Sequence, residues 1–501
     1  ILAGGGDGDI IDFPPNAVSD PRGPYGGVNP PPNDGSAFSP AQNTDNDPPP
    51  PVGLIVKQDD NGVWRDDNGA DWTAMVSGDL ASASGRITGW GLLDNDVAIL
   101  QPGGGSETAY AEGLMNICMA VAVNPATGHV TVVGTDATNE IRFEPNVNGN
   151  FLRVLFASFD PEGPGAPLIK DLNPHLDYNS HTTTPEPRDQ SVGDPRGIAW
   201  KGDGSKAFIT GMGSNNLVVV DQNGQRSGLA PTIEVGEGPT GIVSDDSRGQ
   251  LYVLNRFEAT ISVVSMASET ELTRVAFFDT TPDVIKAGRR HLYDTHLTSG
   301  LGHVSCASCH VDSRTDRLAW DLGDPGGEMI AVEAPRHNLG GNFFGLNSDF
   351  TDFHPMKGPM TTQTLQDIIG KEPHHWRGDR DGIEGFNGAF QSLLGDDTGL
   401  TPDEMREFED YLATIAIPPN PFRNLDNSLP TKLELTGQVT GARFGTAGRP
   451  MPDGNALRGF NETYRPLARG IDRQALACIT CHTAPIGIGT DTTFNLFPAT
   501  A

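Results

Sequence analysis

Two five-residue segments hold four of the five cysteines of this 501-residue chain, and both have the same spacing. Two thiols three positions apart can form thioether bonds to both vinyl groups of one porphyrin, and the histidine that follows can bind the iron. The pattern therefore predicts two covalently attached haem c groups. The segments are Cys306-Ala-Ser-Cys309-His310 and Cys478-Ile-Thr-Cys481-His482, with His310 and His482 as the expected iron ligands.

Three other roles for paired cysteines fit the chain less well. Structural zinc sites usually place two cysteine pairs about 15–20 residues apart, whereas 169 positions separate Cys309 from Cys478. A thioredoxin-like dithiol explains neither the second copy nor the histidines, and disulfide-stapled domains are usually short and rich in cysteine. The fifth cysteine, Cys118, lies in an apolar run, where we expect a buried and inert thiol.

The charge balance of the chain limits its partners. It contains 65 acidic and 34 basic residues and has a formal net charge of −31. Such a surface repels nucleic acid and anionic membranes, and it favours a soluble cationic partner. We therefore expect a small redox protein, a cytochrome or a cupredoxin, as electron partner and no nucleic acid. A surface that is acidic only because it is well solvated is the alternative.

The chain contains no recognisable transmembrane segment, because no apolar stretch reaches the roughly 18 residues that a membrane-spanning helix requires. Covalent haem attachment takes place outside the cytoplasm in bacteria. We therefore expect a secreted bacterial protein, periplasmic or extracellular, whose signal peptide has been removed.

Residues 1–52 consist mainly of turn-forming residues, as in segments 4–9, 30–35 and 45–51. A segment of this composition cannot bury enough apolar surface to offset its ordering entropy, so it is predicted to form an extended arm. Its Asp-rich turns leave Ca²⁺ binding open as an alternative to solvated turns.

A repeat follows this arm. Residues 194–221 contain three short β-branched segments separated by Gly, Asp and Asn turns, residues 238–264 repeat them 44 positions later, and residues 120–143 hold a weaker copy. This period is typical of four-stranded propeller blades, and the segments resemble the YVTN family of β-propellers. We predict an all-β propeller over residues 53–285 with room for about five blades.

The pattern changes near residue 286. Thr401-Pro-Asp-Glu404 is a capping box with proline at the first helical position. An apolar face at helical spacing follows it, formed by Met405, Phe408, Tyr411, Leu412 and Ile415. The expected fold class is therefore multidomain, with an N-terminal propeller followed by mostly α-helical di-haem cytochrome c domains over residues 286–420 and 421–501.

Residues 287–310 lead into the first haem motif, Thr315-Asp316 follows it, and residues 371–380 surround Trp376. In these segments and in their order, residues 286–501 resemble the di-haem cytochrome c peroxidase and MauG family. The resemblance implies two single-haem helical domains. It also implies that Trp376 carries electrons between the two haems.

The sixth ligand of each iron separates an electron carrier from a peroxide-binding haem. The family places a removable histidine shortly after the first motif, but residues 311–333 contain none. We favour Met356 or Met360 as the ligand, ahead of His375, because methionine raises the reduction potential. The other candidates are His337, His354 and His374.

Peroxide cleavage also needs a group that moves a proton between the two oxygens. The family supplies a glutamine and then a glutamate after its tryptophan, whereas here Glu384 precedes Gln391. Glu384 is the best catalytic candidate, and a solvated carboxylate is the alternative. Only 19 residues follow His482, whereas family members take the second distal ligand from a longer segment. We expect an incomplete second domain, with Met451 or a five-coordinate iron as alternatives.

The sequence leaves two classes of function open. In the first, a di-haem cytochrome transfers electrons outside the cytoplasm and reduces hydrogen peroxide or oxidises a partner protein, as the family does. In the second, the chain is a non-catalytic electron-transfer or scaffold subunit of a larger assembly. A high-spin haem would favour the enzyme, and two low-spin haems would favour the carrier.

Overall fold

The computed structural model describes residues 2–3, 10–30, 41–103, 107–163, 165–226, 232–331, 352–440, 448–464, 478 and 482. Across these residues the chain is rich in antiparallel β-structure. Four sheets have four strands each, and two further sheets are two-stranded.

The first sheet combines two short N-terminal strands with two strands from beyond residue 52. Its strands are β1 (Leu2–Ala3), β2 (Ile10–Phe13), β3 (Leu54–Gln58) and β4 (Trp64–Arg65). Ile11 and Phe13 of β2 are fully buried with Trp64 and Trp72 in one apolar cluster. The prediction of an extended arm over residues 1–52 is therefore wrong for residues 10–18. The alternating apolar side chains of β2 supply the buried surface that the surrounding turn-formers lack.

The second half of this predicted arm is also held in place. The Asn43 main-chain N–H donates to Pro325 O at 2.8 Å, and the Asn46 side chain donates to Gly327 O at 2.9 Å. Asp47 O accepts a hydrogen bond of 3.0 Å from Nε2 of His354. Polar side chains and main-chain groups thus replace the missing apolar anchors.

Three consecutive four-stranded antiparallel sheets form the blade-like part of the chain. The first has β7 (Ile117–Val123), β8 (Val130–Ala137), β9 (Leu152–Phe159) and β10 (Leu168–Asp171). The second has β11 (Pro195–Trp200), β12 (Lys206–Gly211), β13 (Asn216–Asp221) and β14 (Ile233–Glu234). The third has β15 (Pro239–Asp245), β16 (Gln250–Asn255), β17 (Thr260–Ser265) and β18 (Thr270–Ala276).

The structure confirms the 44-residue repeat strand by strand. Strands β15, β16 and β17 each begin 44 residues after β11, β12 and β13. Even the irregularity is repeated, because the register shifts between Pro195 and Gly197 in one copy and between Pro239 and Gly241 in the other. A proline that lacks an N–H, two positions before a glycine that tolerates close approach, explains the same break in both ladders.

Successive sheets meet through their first strands, so that β11 lies between β7 and β15. The indole N–H of Trp200 donates to Thr131 Oγ1 at 3.0 Å, and Trp200 O accepts from Ser244 Oγ at 3.0 Å. A shared core that includes Phe208, Leu217 and Leu251 fills the space between the last two sheets. This arrangement is propeller-like. In each sheet the first strand contacts the neighbouring sheet, and the other three strands follow it in chain order toward the outer edge.

The two-stranded sheets are β5 (Val97–Leu100) with β6 (Glu107–Ala111), and β19 (Ala319–Trp320) with β20 (Met360–Thr361). The β5–β6 hairpin packs with β8 and β9 around Leu114 and Met115. About five four-stranded blades were predicted over residues 53–285, but the described part of that range contains three, with a hairpin in place of a further sheet.

Nine α-helical segments occur among the described residues, and most are single turns. They are α1 (Pro15–Val18), α2 (Thr73–Val76), α3 (Glu144–Val147), α4 (Pro185–Asp189), α5 (Asp283–Tyr293), α6 (Thr295–Thr298), α7 (Asn387–Ser392), α8 (Pro402–Leu412) and α9 (Ala456–Gly459). Short 3-10 turns lie at Ala81–Ser84, Cys306–Ser308, Val311–Ser313 and Ile383–Phe386, and a π-helical turn lies at Phe460–Tyr464. The described helices all lack the length and hydrophobicity needed to cross a bilayer.

Helix α8 confirms the predicted amphipathic helix. Thr401 and Glu404 form the capping box, because Glu404 Oε2 accepts from the Thr401 amide at 2.9 Å and the Glu404 amide donates to Thr401 Oγ1 at 3.4 Å. The broader prediction of a mostly helical haem region is not met between residues 299 and 382, where the described residues form turns, 3-10 segments and one short strand pair. Many Gly, Pro and Asp residues in this stretch disfavour longer helices.

A buried ion pair joins the first sheet region to the turn after β8. Arg142 Nε lies 3.0 Å from Asp67 Oδ1, and the two side chains are only 2% and 1% exposed. The Arg142 guanidinium also lies over the ring of Phe143, 4.9 Å from its centroid. The pair fixes two segments that are 75 residues apart.

By its contacts the chain divides into two compact units. Unit 1 contains residues 1–329, 354–364 and 384–411, and unit 2 contains residues 330–353, 365–383 and 412–501. The first haem motif therefore belongs to the same unit as the sheets.

Candidate haem-attachment sites

The first motif is approached through α5, which packs closely on α8. Gly288 lies so near the chain of α8 that a Cβ atom there would be 2.1 Å from Glu407 O. The buried His291 forms a 3.0 Å hydrogen bond through Nε2 to Glu407 Oε2. Asp294 then caps α6 by accepting from the amides of His296 and Leu297. These contacts fix the start of the segment that carries the cysteines.

The cysteines of the first motif lie on a tight capped turn. Ser305 and Ser308 form a reciprocal capping box around the 3-10 turn, and the His310 amide donates to Cys306 O at 3.0 Å. Although both cysteines keep some exposed surface, burial raises the pKa of Cys306 to about 12 and that of Cys309 well above its usual value. Zinc requires thiolates, which this surrounding disfavours, whereas a thioether carries no charge. The environment of the thiols thus fits haem attachment.

The imidazole of His310 has a defined orientation. Its Nδ1 lies 2.8 Å from the main-chain oxygen of Gln363, which follows β20. A carbonyl oxygen can only accept, so Nδ1 carries the proton and the lone pair of the neutral ring is on Nε2. Metal-bound histidines are oriented in this way by a partner on their other nitrogen. The ring is therefore in the tautomer that an iron ligand needs.

Sequence analysis missed the residues that hold the chain after the motif. The Asp316 amide donates to Cys309 O at 2.9 Å, and Asp316 Oδ2 accepts from the indole N–H of Trp320 at 2.8 Å. Burial raises the pKa of Asp316 to about 6. Trp320 is itself buried, and its main chain pairs with Met360. A short apolar run, Leu318-Ala319-Trp320, between Arg317 and Asp321 was the available signal.

The candidates for the first sixth ligand lie in the segment that supplies Gln363. Met356 is buried, and Met360 is half-buried opposite Trp320 in the β19–β20 pair. His354 accepts from the Met356 amide through Nδ1 and donates to Asp47 O through Nε2. Both ring nitrogens are therefore occupied, which argues against His354 as an iron ligand and for a role in fixing Met356.

Unit 2 contains His375 and Trp376. His375 Nδ1 lies 2.8 Å from Oδ1 of the buried Asp379, and Arg377 Nη2 lies 2.9 Å from Oδ2. The carboxylate of Asp379 accepts a hydrogen bond from Nδ1–H of His375, which orients the ring as partners of metal-bound histidines do. Trp376 is 54% exposed.

The second motif repeats one feature of the first. The His482 amide donates to Cys478 O at 3.0 Å, as the His310 amide does to Cys306 O at the same distance. Tyr464 donates its hydroxyl to His482 O. Cys481 and the candidate His337 lie outside the described residues, so the comparison stops at this helical turn.

Two other predicted groups are exposed at the surface. Glu384 is exposed at the start of the Ile383–Phe386 turn. Cys118 is exposed on β7, so the prediction of a buried thiol is wrong; the strand turns this residue outward where the ladder shifts register between Cys118 and Ala120. Across the described ranges, no cluster of three or more His, Cys, Asp or Glu side chains is arranged to hold a metal ion.

A cavity of about 490 Å³ opens beside the chain that follows His310. Its walls bring the turn before β5 and the start of β7 together with the segment after the first motif. Most of the wall is polar. Its polar side chains include those of Asp96, Asn116, Asp316 and Arg317. Burial raises the pKa of Asp96 to about 6.

Comparison with known proteins gives little further information. No protein family profile matches the chain, and no curated protein matches it. Solved structures with local similarity include hydrazine synthase of Kuenenia stuttgartiensis (17% identity, TM-score 0.25), which aligns over 30% of this chain and 46% of that one. The periplasmic gluconolactonase PpgL of Pseudomonas aeruginosa (11%, 0.27) aligns over 37% and 50%. The WD40 repeats of RRP9 (13%, 0.22) align over 32% and 38%.

The aligned part of this chain thus spans about half or less of each of these structures. At such TM-scores the similarities transfer neither a function nor a set of site residues.

Proposed function

We propose that this chain is a c-type cytochrome that binds two haem groups covalently and exchanges electrons with a soluble protein outside the cytoplasm. The observation that carries the proposal is the hydrogen bond between His310 Nδ1 and Gln363 O. It fixes the proton on Nδ1, so that the lone pair of the neutral tautomer is on Nε2, and the ring follows directly after two partly buried thiols of suitable spacing.

Three further observations support haem over zinc or a dithiol. The surroundings of the partly buried Cys306 and Cys309 raise their pKa values and so disfavour the thiolate form. The turn that joins the first cysteine to the histidine has the same 3.0 Å hydrogen bond in both motifs. Within the described residues, no cluster of side chains suits a bare metal ion.

When bound, haem c would supply a one-electron couple at its iron. The chain would contribute His310 and His482 as proximal ligands. Met356, Met360 and His375 are the proposed distal candidates. Methionine would raise the reduction potential relative to histidine, so the choice among them sets the direction of electron flow. Trp376, half-exposed on unit 2, would offer an aromatic route to the protein surface.

We place electron transfer ahead of peroxide reduction because Glu384 is exposed. A carboxylate that must move a proton between peroxide oxygens works best where water is excluded. The second candidate function remains that of a carrier or scaffold subunit in a larger periplasmic or extracellular assembly. Its β-domain, proposed to be a propeller of the YVTN type, would then bind the neighbouring protein. The acidic surface would favour a basic cytochrome or cupredoxin as partner.

The first experiment tests whether haem is covalently attached to the chain. The chain is produced in a bacterial host that attaches haem in the periplasm, and its intact mass and its colour after acid-acetone extraction are measured. We expect a mass increase of two haem groups and retained colour. Cys306→Ala combined with Cys309→Ala should lose one haem, and Cys478→Ala with Cys481→Ala the other.

Cys118→Ala is the matched control, because it removes the one cysteine outside the motifs and should keep both haems. An apoprotein of unmodified mass would refute the proposal. Spin-state measurement of each iron by electron paramagnetic resonance then separates carrier from enzyme.

A further inference from the structure

A second cavity, of about 570 Å³, lies away from the haem motif, between the last sheet and α5. Its wall is formed by the chain after β14, the turn between β16 and β17, strand β18 with the chain that follows it, and the first turns of α5. The lining residues used below are Val235, Glu237, Phe257, Asp283, Ala287 and Arg289. All belong to unit 1.

Arg289 is a buried cation in this wall. Its residue surface is 6% exposed, and its guanidinium lies over the ring of Phe257, 4.6 Å from the centroid. One terminal nitrogen donates to Phe257 O, and Nε is buried without a hydrogen-bond partner. In the part of the chain that the structure describes, no ion pair is formed by Arg289. A buried charge that lacks a counter-ion is costly, so this arrangement calls for an anionic group.

The other two cations of the wall differ from Arg289 because their charges are compensated. Arg274 lies 2.9 Å from carboxylate oxygens of Glu258 and of Glu271, and Lys286 lies 2.7 Å from Asp279. Arg289 is therefore the group in this wall that is most in need of a negative partner.

The rest of the wall restricts what that partner can be. Glu237 and Asp283 are exposed, and across the described ranges neither forms an ion pair. Glu237 is close enough to act on Arg289, whose pKa is lowered by burial and raised in part by this carboxylate. Two free carboxylates oppose a dianion such as phosphate and attract an ammonium group. Val235, Phe257 and Ala287 offer apolar surface between the charges.

From this arrangement we propose that the cavity binds a small zwitterionic carboxylate, an α-amino acid with an apolar side chain. Its carboxylate pairs with Arg289, its ammonium group faces Glu237 and Asp283, and its side chain packs against Phe257. The site is independent of the haem groups and adds a ligand-binding function to the proposed electron transfer.

The test uses the haem-loaded full chain and isothermal titration calorimetry with L-phenylalanine as probe. We expect saturable binding that weakens at least about tenfold for 3-phenylpropanoate, which lacks the ammonium group, and for phenethylamine, which lacks the carboxylate. Inorganic phosphate should bind more weakly than L-phenylalanine.

Arg289→Gln should weaken L-phenylalanine binding at least about tenfold, whereas Arg248→Gln, which changes an exposed arginine of the same sheet, should leave it unchanged. Glu237→Gln alters an exposed residue and keeps Asp283, and it should reduce the preference for L-phenylalanine over 3-phenylpropanoate, so the test stands even if Arg289→Gln does not fold. Haem absorption is recorded in parallel and should not change.

The proposal is overturned if L-phenylalanine gives no saturable heat, if phosphate binds more tightly, or if Glu237→Gln leaves the preference for L-phenylalanine undiminished. Each of these results leaves the haem proposal untouched, because that proposal is tested by mass and colour.

Discussion

Trp320 donates its indole N–H to Oδ2 of Asp316 at 2.8 Å, and the Asp316 amide in turn donates to the main chain of Cys309. The buried Trp320 is thus linked to the cysteine turn through a single residue, Asp316, whose carboxylate binds the indole and whose amide binds Cys309 O. Leu318 adds a second donor, through its amide, to Asp316 Oδ1. The segment after the first motif is therefore stabilised by its own side chains.

Replacing Trp320 by phenylalanine should destabilise this segment, because Asp316 Oδ2 loses a donor in a nearly buried position. We expect the free energy of unfolding to fall by about 1–3 kcal/mol, measured by urea denaturation. Trp376→Phe, at a half-exposed indole, is the matched control and should cost less than about 0.5 kcal/mol. Equal losses in the two variants would contradict the importance of the Asp316 contact.

The buried pair of Arg142 and Asp67 should be sensitive to loss of one partner. Arg142→Met leaves the carboxylate of Asp67 buried without its counter-charge, and we expect a loss of about 3–5 kcal/mol in unfolding free energy. Arg65→Met removes the exposed pair of Arg65 with Asp59 and should cost less than about 1 kcal/mol. A small effect at both positions would show that Asp67 is hydrated when Arg142 is absent.

The helix pair α5 and α8 depends on the missing side chain of Gly288. Gly288→Ala would place a methyl group 2.1 Å from Glu407 O, so α5 must move outward. We expect a loss of more than about 1 kcal/mol in thermal or denaturant unfolding. Gly388→Ala in α7 is the control, since open space surrounds that glycine and alanine should stabilise the helix by up to about 1 kcal/mol.

Stability should also depend on pH through buried carboxyl groups. Burial raises the pKa of Asp321 to about 6, and Arg142 opposes part of this effect. Because the folded state holds its proton more tightly than the unfolded state, the stabilisation is complete below about pH 4 and is lost as the pH rises through 6. The largest contribution is about 3 kcal/mol, at about 1.4 kcal/mol for each pKa unit.

Asp321→Asn mimics the protonated acid and should reduce the fall in unfolding free energy between pH 4 and pH 6.5. Asp203→Asn, at an exposed residue whose pKa is lowered by Lys201 and Ser205, should leave that part of the profile unchanged. Denaturation curves at four or five pH values measure both. An unaltered profile in Asp321→Asn would assign the pH dependence to other groups.

The repeat and the capping box were predictable because both are local. Strand spacing follows from turn residues at fixed offsets, and the Thr401 cap lies within three residues of its partner. The fate of residues 10–18 was not predictable in this way. Their pairing partner, β3, lies more than 40 residues away, and the average composition of residues 1–52 hides the three apolar side chains of β2, which are Ile10, Ile11 and Phe13.

In the candidate site, too, the local features were predictable and the long-range contacts were not. Spacing alone indicated the cysteines and histidines, but the proton on His310 Nδ1 is fixed by a carbonyl 53 residues away. Likewise, His354 was a ligand candidate until its two nitrogens were found bonded to Met356 and Asp47. Long-range partners of this kind have no signature in a single sequence.

The identical break in the β11–β12 and β15–β16 ladders has a consequence for how this chain can vary in length. The two neighbouring copies have the same strand spacing, the same turn positions and the same register shift. Gain or loss of one whole copy therefore leaves the inward-facing and outward-facing side chains of the adjoining strands unchanged. An insertion of an odd number of residues within a strand would instead turn inward-facing side chains outward. Length changes that keep these strands intact therefore include the gain or loss of one complete 44-residue copy.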